Sequence, residues 1–328
     1  MSDGGEGFGE VMSRFSGARI QKVRTVDAAH RPCVAAWWWQ PETQSAVIET
    51  ARVIGLAMLP PKRFHPFELD TFGLGRVFQA AVHKGAKRCI VGIGGSATND
   101  GGFGMARALG WTFLDKQNQK LSNWCKLIEL KTICPPDEKR IFDEMCVAVD
   151  VRNPLVGRVG ATRVYGPQKG LLPRDFAIAD QCLARLADIW NKQFHRDLKR
   201  IPGAGAAGGL GFGLMAFLNA QLEPGFDLFV RHSGLERLIR SSDLVITGEG
   251  AIDRSTLMGK GVGQLASACH RLKVPCIALA GLVSNPARVK GRFARAYSLN
   301  ELAGLKEAKS RAGPLLRHLA AQVARQWA

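Results

Sequence analysis

The stretch RCIVGIGGSATNDGGFGMARAL, residues 88–109, decides how the chain is expected to fold. Its apolar start, 88–93, predicts a short buried strand, and 102–109 predicts a helix closed by Gly110. The glycines between them let the backbone approach a ligand closely and present N–H groups to a phosphate. The sequence therefore predicts a strand–loop–helix unit whose loop binds an anion.

Polar side chains inside this loop strengthen the prediction. Ser96 and Thr98 add hydroxyl donors, and together with Gly94 and Gly95 they are predicted to cradle phosphate. Asp100 lies where the helix is expected to begin, so it could cap that helix or hold a metal ion. Glycines placed only for close packing are the competing explanation, but packing does not require such a polar cluster.

Outward from this unit, strand-like and helix-like segments alternate, which is typical of an α/β protein with a mainly parallel sheet. Further strands are predicted at 33–39, 111–114, 145–149, 243–247 and 274–280. Further helices are predicted at 43–59, 72–84, 175–194, 206–222, 261–272 and 315–327. At 328 residues the chain is long enough for more than one domain.

The same loop also imitates a dinucleotide-binding fingerprint. Gly92, Gly94 and Ala97 have the spacing G-x-G-x-x-A, and Asp115 ends the next predicted strand. A nicotinamide-dependent oxidoreductase is therefore the main alternative function. Against it, the fingerprint requires a helix that starts among the glycines, and residues 99–102 interrupt that helix. A Walker A motif is absent from the sequence.

A second glycine-bearing segment, TGEGAID at 247–253, is predicted as a loop after the strand ending at Ile246. Glu249 and Asp253 are carboxylates four residues apart, and hard oxygen ligands of this kind suit Mg²⁺ held together with substrate phosphates. Capping of the next helix is the alternative. Lys260, a few residues further on, is a candidate for neutralising phosphate.

Two more segments complete the candidate site. Lys169 lies in GPQKG at 166–170, and a lysine held by a Pro/Gly turn is a candidate anion contact. Gly205 lies in PGAGAAGGLG at 202–211, which opens a helix almost without side chains. Such a bare helix start can face an anion such as a carboxylate, or it can serve close helix packing.

Composition excludes several classes of protein. The 46% hydrophobic residues are not gathered into a membrane span, and no secretory signal is expected from the first residues. The net charge of +17 is dispersed, without the long basic run typical of a nucleic-acid arm. Eight cysteines occur without a C-x-x-C pair, as in a reduced cytoplasmic protein. We expect neither nucleic acid nor membrane as a partner, and we keep a homodimer open.

The segments GIGGSATNDGG, DVRNPL with GPQKG, PGAGAAGGLG, and ITGEGAID with GKG occur in this order and resemble the signature segments of the bacterial type I glycerate kinases. SDGGEG at 2–7 resembles a further one. The resemblance covers nearly the whole chain. It implies transfer of a phosphoryl group from ATP to D-glycerate with Mg²⁺, with 2-phosphoglycerate as the expected product.

The resemblance also implies roles for named residues. Asp100, Asp253 and Lys169 are expected to be catalytic, and Glu249 and Asp253 to bind the metal. Asp3, Glu6 and Gly205 are expected to bind the substrate. The implied fold has two α/β domains, a flavodoxin-like one formed by 1–16 and 228–328 and an inserted one formed by 17–227, with 88–112 hard to place.

One departure from the family is that members carry a strand and a lysine-bearing loop before the segment that SDGGEG resembles. We expect from this that the chain is truncated and that its activity is reduced. A binding remnant with impaired catalysis is therefore kept as a further alternative.

Overall fold

The structure, a computed structural model, describes residues 4–137, 141–253, 256, 261–284 and 291–327. The chain divides into two compact units, Met1–His232 and Ser233–Ala328. Parallel strands and helices alternate in each unit, which confirms the predicted α/β class with a mainly parallel sheet. Among the described residues, no helix combines the length and apolar character that crossing a membrane requires.

The first unit contains a six-stranded sheet in the order β1-β2-β3-β4-β7-β8 and a two-stranded sheet formed by β5 and β6. Its strands are β1 Arg19–Val26, β2 Pro32–Gln40, β3 Ser45–Glu49, β4 Arg88–Gly92, β5 Thr112–Leu114, β6 Thr132–Cys134, β7 Glu144–Ala148 and β8 Gln221–Glu223. Its helices are α1 Phe8–Ser16, α2 Ala51–Ile54, α3 Phe72–His83, α4 Phe103–Ala108, α5 Ala161–Lys169, α6 Phe176–Phe194 and α7 Ala206–Leu218, and α8 Gly225–Ser233 ends it.

The burial of the central strands agrees with their parallel pairing. All five residues of β3 and the last four of β4 are buried, as expected for strands covered by helices on both faces. β3, β4, β7 and β8 pair in parallel, whereas β1 and β2 extend the sheet antiparallel. The carboxyl ends of β3, β4 and β7 therefore meet at one edge, where ligands bind in open α/β sheets.

The core of the first unit is continuous and rich in aromatic rings. Trp111, Trp190 and Phe217 pack with ring centroids 5.1 to 5.7 Å apart. α6 contributes one apolar face, with Leu183 and Leu186 fully buried. This packing supports the loops at the carboxyl edge of the sheet on a rigid base.

The second unit is built on the three-stranded parallel sheet β11-β10-β9. Its elements are α9 Leu235–Arg240, β9 Val245–Ile252, α10 Gly261–Leu272, β10 Cys276–Val283, β11 Arg295–Ser298, α11 Leu299–Ser310 and α12 Ala312–Trp327. Ile277 and Leu279 of β10 pack with Leu299, Leu319 and Val323 of the last two helices in a small core of their own.

Two of the predicted helices are wrong, and the sequence also left a strand of the main sheet unpredicted. The helix predicted over 43–59 is instead the buried strand β3 followed by the single turn α2, because a short apolar run fits either period. The helix predicted to reach residue 222 ends at Leu218, since Asn219 adopts a left-handed conformation and β8 follows. The edge strand β1, largely polar and partly exposed, was not predicted.

The segment 247–253, predicted as a loop, is mostly strand. β9 continues to Ile252 because it pairs with β10 as far as Val283. Gly248 permits this pairing, since a Cβ there would lie 2.3 Å from the carbonyl oxygen of Leu279. The two predicted metal carboxylates thus lie on and just after a strand.

Candidate active site

A cleft of about 410 Å³ opens in the first unit at the carboxyl ends of β4 and β7. The glycine loop after β4 lines it with Ile93, Gly94, Gly95 and Ser96. The remaining lining residues come from five other segments: Gly4 and Gly5, Leu56, residues 148–151, Tyr165, Gln168 and Lys169 of α5, and Ala206 and Ala207 of α7. The structure therefore brings together four of the segments that the sequence singled out.

The backbone of the glycine loop is partly occupied by the protein itself. The N–H of Gly94 donates to the carbonyl oxygen of Gly4 at 2.9 Å, and a Cβ on Gly94 would lie 2.7 Å from the Cα of Gly5. Gly94 therefore serves close approach of the N-terminal segment. Within the described part of the chain, no backbone bond takes the N–H of Gly95 or of Ser96. Both residues line the cleft, so these two donors are available to an anion.

Lys169 is the buried cation of the cleft. It is the last residue of α5, which Gly170 ends in a left-handed conformation, and its side chain is only 6% exposed. Its Nζ donates to the Ser96 hydroxyl at 2.9 Å and to the Thr98 carbonyl oxygen at 2.6 Å. The structure thus joins three predicted site residues that lie up to 73 residues apart.

Burial lowers the pKa of Lys169 to about 7, and the negative charge of Asp100 opposes that shift. Burying a charged ammonium among few acceptors costs free energy, whereas an anion that enters the cleft would stabilise the charged form. The arrangement can therefore receive an anion and take up a proton as the anion binds.

Asp100 makes the contacts expected of a residue that caps a helix, which was the alternative to metal binding. Its carboxylate accepts the N–H and the hydroxyl of Thr71, at 2.9 and 2.7 Å, and the N–H of Gly104 at 2.9 Å. Burial, followed by the charge of Asp70, raises the pKa of Asp100 to about 6. The side chain is fully buried beneath the loop and secures the first turn of α4, so a direct catalytic role stays a prediction.

Thr98 also lies beneath the cleft surface. The residue is fully buried, and its hydroxyl has no hydrogen-bond partner among the described residues. Its contribution to the site is the carbonyl oxygen that holds Lys169. The predicted phosphate contact from the Thr98 hydroxyl finds no support in this geometry.

The glycines around Gly205 make the close backbone contacts expected if they serve helix packing, which was the alternative to anion binding. A Cβ on Gly205 would lie 2.2 Å from the carbonyl oxygen of Pro154, and one on Gly208 would lie 1.9 Å from that of Thr98. Residues 207–209 adopt left-handed conformations, so the regular part of α7 begins after them. The neighbours Ala206 and Ala207, rather than Gly205, line the cleft.

For three predicted residues the structure gives no contact with the cleft among the described residues. Glu6 is exposed and is not among the residues that line the cleft in the described part of the chain. Asp3 and Lys260 lie outside the described residues. Their predicted roles in substrate and phosphate binding stay predictions.

In the second unit, Thr256 connects the two predicted metal carboxylates. Its hydroxyl donates to a carboxylate oxygen of Glu249, and its backbone N–H donates to the Asp253 carboxylate at 3.3 Å. Two carboxylates bonded to one residue, one through its hydroxyl and one through its backbone N–H, fit the hard oxygen chemistry of Mg²⁺, which usually takes one or two carboxylates plus phosphates. No group of three or more His, Cys, Asp or Glu side chains suited to a metal occurs among the described residues.

Sequence inspection missed two acidic residues of the site region. Asp150 lines the cleft and accepts the N–H of Gly225 at 2.9 Å. Glu49, the last residue of β3, is 2% exposed and binds the backbone of α1. Both follow or end a parallel strand, which is the available signal, but the helix predicted over 43–59 concealed it for Glu49.

The dinucleotide alternative does not fit the structure. α4 begins at Phe103, well after the glycines, so its N-terminus does not adjoin Gly92 and Gly94. β5, expected as the next parallel strand, pairs antiparallel with β6 in a separate sheet, and Asp115 binds the N–H groups of its own turn. The fingerprint requires a parallel βαβ unit, which is absent from this part of the chain as the structure describes it.

The fold and the cleft define an α/β protein in which a buried lysine at the end of α5 is bonded to a glycine-rich loop at the carboxyl edge of parallel strands. The chain belongs to the glycerate kinase family, whose sequence model matches residues 1–328. Its predicted class, a phosphotransferase enzyme, is thereby confirmed.

Named relatives agree with this membership. Glycerate kinase of Halalkalibacterium halodurans is 38% identical over 99% of this chain and 87% of its own length. Glycerate 2-kinase of Escherichia coli K12 is 36% identical over 88% of this chain and 77% of its own. A crystal structure from Salmonella typhimurium LT2, assigned as a glycerate kinase 2, superposes with a TM-score of 0.84 at 33% identity, covering 100% of this chain and 88% of the other.

Proposed function

We propose that this glycerate kinase transfers the γ-phosphoryl group of ATP to D-glycerate, with 2-phosphoglycerate as the product. The observation that carries the proposal is the buried Lys169, held against Ser96 and Thr98 at the base of the cleft. No carboxylate of the described residues is bonded to Lys169, and a buried amine in such surroundings is suited to an anionic ligand. ATP, D-glycerate and the transferred phosphoryl group are all anions.

Phosphoryl transfer requires positioning and charge neutralisation more than covalent chemistry. In the proposed function the N–H groups of Gly95 and Ser96 and the hydroxyl of Ser96 donate to phosphate oxygens. Lys169 gives up part of its bonding to Ser96 and Thr98 and neutralises the negative charge beside it. Because its pKa is about 7 before binding, it takes up a proton when the anion enters.

Mg²⁺ supplies neutralisation of the nucleotide phosphates when it is bound. Glu249 and Asp253 are the residues we propose to hold it, because Thr256 already gathers them. The described residues hold no larger cluster of metal-binding side chains that would compete for this role. Thr256 then acts as the residue that keeps the two carboxylates together.

The test is ADP release by the purified protein with MgATP and D-glycerate, with L-glycerate and no acceptor as controls. Phosphorus NMR of the product distinguishes 2-phosphoglycerate from 3-phosphoglycerate. We expect ADP release that depends on D-glycerate and a single 2-phosphoglycerate signal. Binding of both substrates by calorimetry without turnover would establish the impaired-binding alternative instead. Tight NADH binding without a response to MgATP would overturn the proposal.

A further inference from the structure

Glu49 lies at the carboxyl end of β3 and is almost completely buried, with 2% exposure. Its two carboxylate oxygens accept the N–H groups of Gly7 at 3.0 Å and of Gly9 at 3.1 Å. The only charged side chain bonded to both Glu49 and α1 among the described residues is Arg52, whose Nε lies 3.4 Å from Glu49. A buried carboxylate with this set of donors is held in one place.

Glu49 accepts backbone N–H groups at the start of α1 for which the helix itself offers no side-chain cap. The first N–H groups of a helix lack partners inside the helix, and a polar N-cap side chain commonly supplies one. Here the N-cap is Gly7, which has no side chain. Glu49 supplies the missing acceptors from a neighbouring strand, and its negative charge also suits the positive end of the helix dipole.

The segment held in this way forms part of the cleft. Gly4 and Gly5 line the cleft, and the carbonyl oxygen of Gly4 accepts the N–H of Gly94 at 2.9 Å. Residues 4–9 are therefore attached at two points, to the glycine loop at one end and to Glu49 at the other. Phe8 between them is fully buried, and a Cβ on Gly92 would lie 2.6 Å from its ring.

The same end of β3 is also joined to the strand that carries the glycine loop. The N–H of Thr50, next to Glu49, donates to the carbonyl oxygen of Gly92 at 2.9 Å. A displacement of Glu49 would thus be transmitted to the N-terminal segment, while the glycine loop keeps its own attachment to β3. Glu49 therefore holds the start of α1 at the same end of β3 to which the glycine-loop strand is bonded.

We propose that Glu49 is a positioning residue for the kinase reaction, which fixes the Gly4–Gly5 wall of the cleft by holding the start of α1. The proposal rests on the proposed function, since it assigns Glu49 an effect on the reaction in that cleft. Glu49 acts through the backbone of residues 4–9 and touches no reacting group. A misplacement of about 1 Å in such a wall can cost roughly 100-fold in rate.

The test compares Glu49→Gln and Glu49→Ala with the matched control Glu10→Gln. Glu10 lies on α1 and forms an ion pair with the same Arg52 at 2.7 Å, but its side chain is 62% exposed and the bond lies on the surface. The control therefore removes a carboxylate charge that pairs with the same Arg52, but it leaves the bonds between Glu49 and the start of α1 in place. The isosteric glutamine keeps one acceptor oxygen, so that variant is expected to fold.

Two measurements are made on the 328-residue protein. Amide hydrogen exchange of peptides covering 4–16 reports whether the start of α1 is released, and it does not require activity. Steady-state kinetics with MgATP and D-glycerate report kcat and KM separately. We expect faster exchange in 4–16 and a loss of kcat/KM of roughly 10-fold for Glu49→Gln and 100-fold for Glu49→Ala, with the control near wild type.

The outcomes separate the two proposals. Faster exchange with unchanged kinetics would mean that Glu49 only caps a helix, and would overturn its positioning role. Unchanged exchange would overturn the attachment itself. A wild-type protein that does not phosphorylate D-glycerate would refute the proposed function, and with it the kinetic role of Glu49, while the exchange data would still decide whether Glu49 holds residues 4–9.

Discussion

Replacement of Lys169 by methionine tests the central feature of the cleft. Methionine keeps the length of the side chain and removes its charge and hydrogen bonds. In the native protein burial holds the pKa of Lys169 at about 7, whereas in the unfolded chain it returns to its ordinary value of 10.5. Between these two values the unfolded chain binds one proton more than the native protein, so the wild-type protein gains stability as pH rises through this window.

The magnitude follows from that single proton. At pH 8.5 Lys169 is almost entirely neutral when folded and almost entirely charged when unfolded, so unfolding should take up roughly one proton through this group. The stability of the wild type should rise relative to Lys169→Met by about 1.4 kcal/mol per pH unit between about pH 7 and pH 10.5. Below that window the difference between the two proteins should be constant.

The assay is proton uptake in weakly buffered solution as concentrated urea unfolds each protein at pH 8.5. It counts protons directly and does not depend on two-state unfolding, which a chain with two units need not follow. Lys192→Met, which removes an exposed lysine from α6, is the matched control for losing one amine. We expect Lys169→Met to take up about one proton fewer than the wild type.

Equal proton uptake by the wild type and Lys169→Met, beyond the change in the control, would refute the reasoning. It would mean that the buried amine has the same charge in the folded and unfolded chains. In the same preparations, glycerate kinase activity should fall at least ~100-fold for Lys169→Met, because a contact that strengthens in the transition state is lost.

Three further predictions concern proton uptake on nucleotide binding, the predicted metal carboxylate Asp253 and the close contact of Gly208. MgATP binding at pH 8 should be coupled to proton uptake, seen as a dependence of the calorimetric enthalpy on the buffer, and Lys169→Met should lack this uptake; a buffer-independent enthalpy in the wild type would contradict it. Asp253→Asn should lower kcat at least ~100-fold with little change in thermal stability, and near-normal kinetics would remove Asp253 from the metal site. Gly208→Ala should destabilise the protein by about 1–3 kcal/mol more than Gly157→Ala in urea unfolding. Both glycines have positive φ, but only at Gly208 would an added Cβ meet a backbone oxygen, that of Thr98, at 1.9 Å. Equal losses of stability would show that the structure relaxes this contact without cost.

The sequence by itself determined the α/β class and the unit formed by β4, its glycine loop and α4. These are local properties, because a buried apolar run, glycines and a helical period act over a few neighbouring residues. It also predicted which segments carry the chemistry, since Ser96, Lys169 and Glu249 each lie in a polar, glycine-bearing motif of a chain that belongs to the glycerate kinase family. The strand β3 was predicted as part of a helix, because a run of five buried residues fits both the helical and the strand period.

Only the tertiary structure decided how those residues are used. The periodicity of a segment records which side is buried, but not which distant group takes each donor. Lys169 binds Ser96 across 73 residues, and Glu49 binds Gly9 across 40. The N–H of Gly94, expected to face a phosphate, instead holds the N-terminal segment. Buried donors and acceptors must find partners wherever the folded chain places them, and this requirement bonds the lysine to the glycine loop and the glutamate to the start of α1.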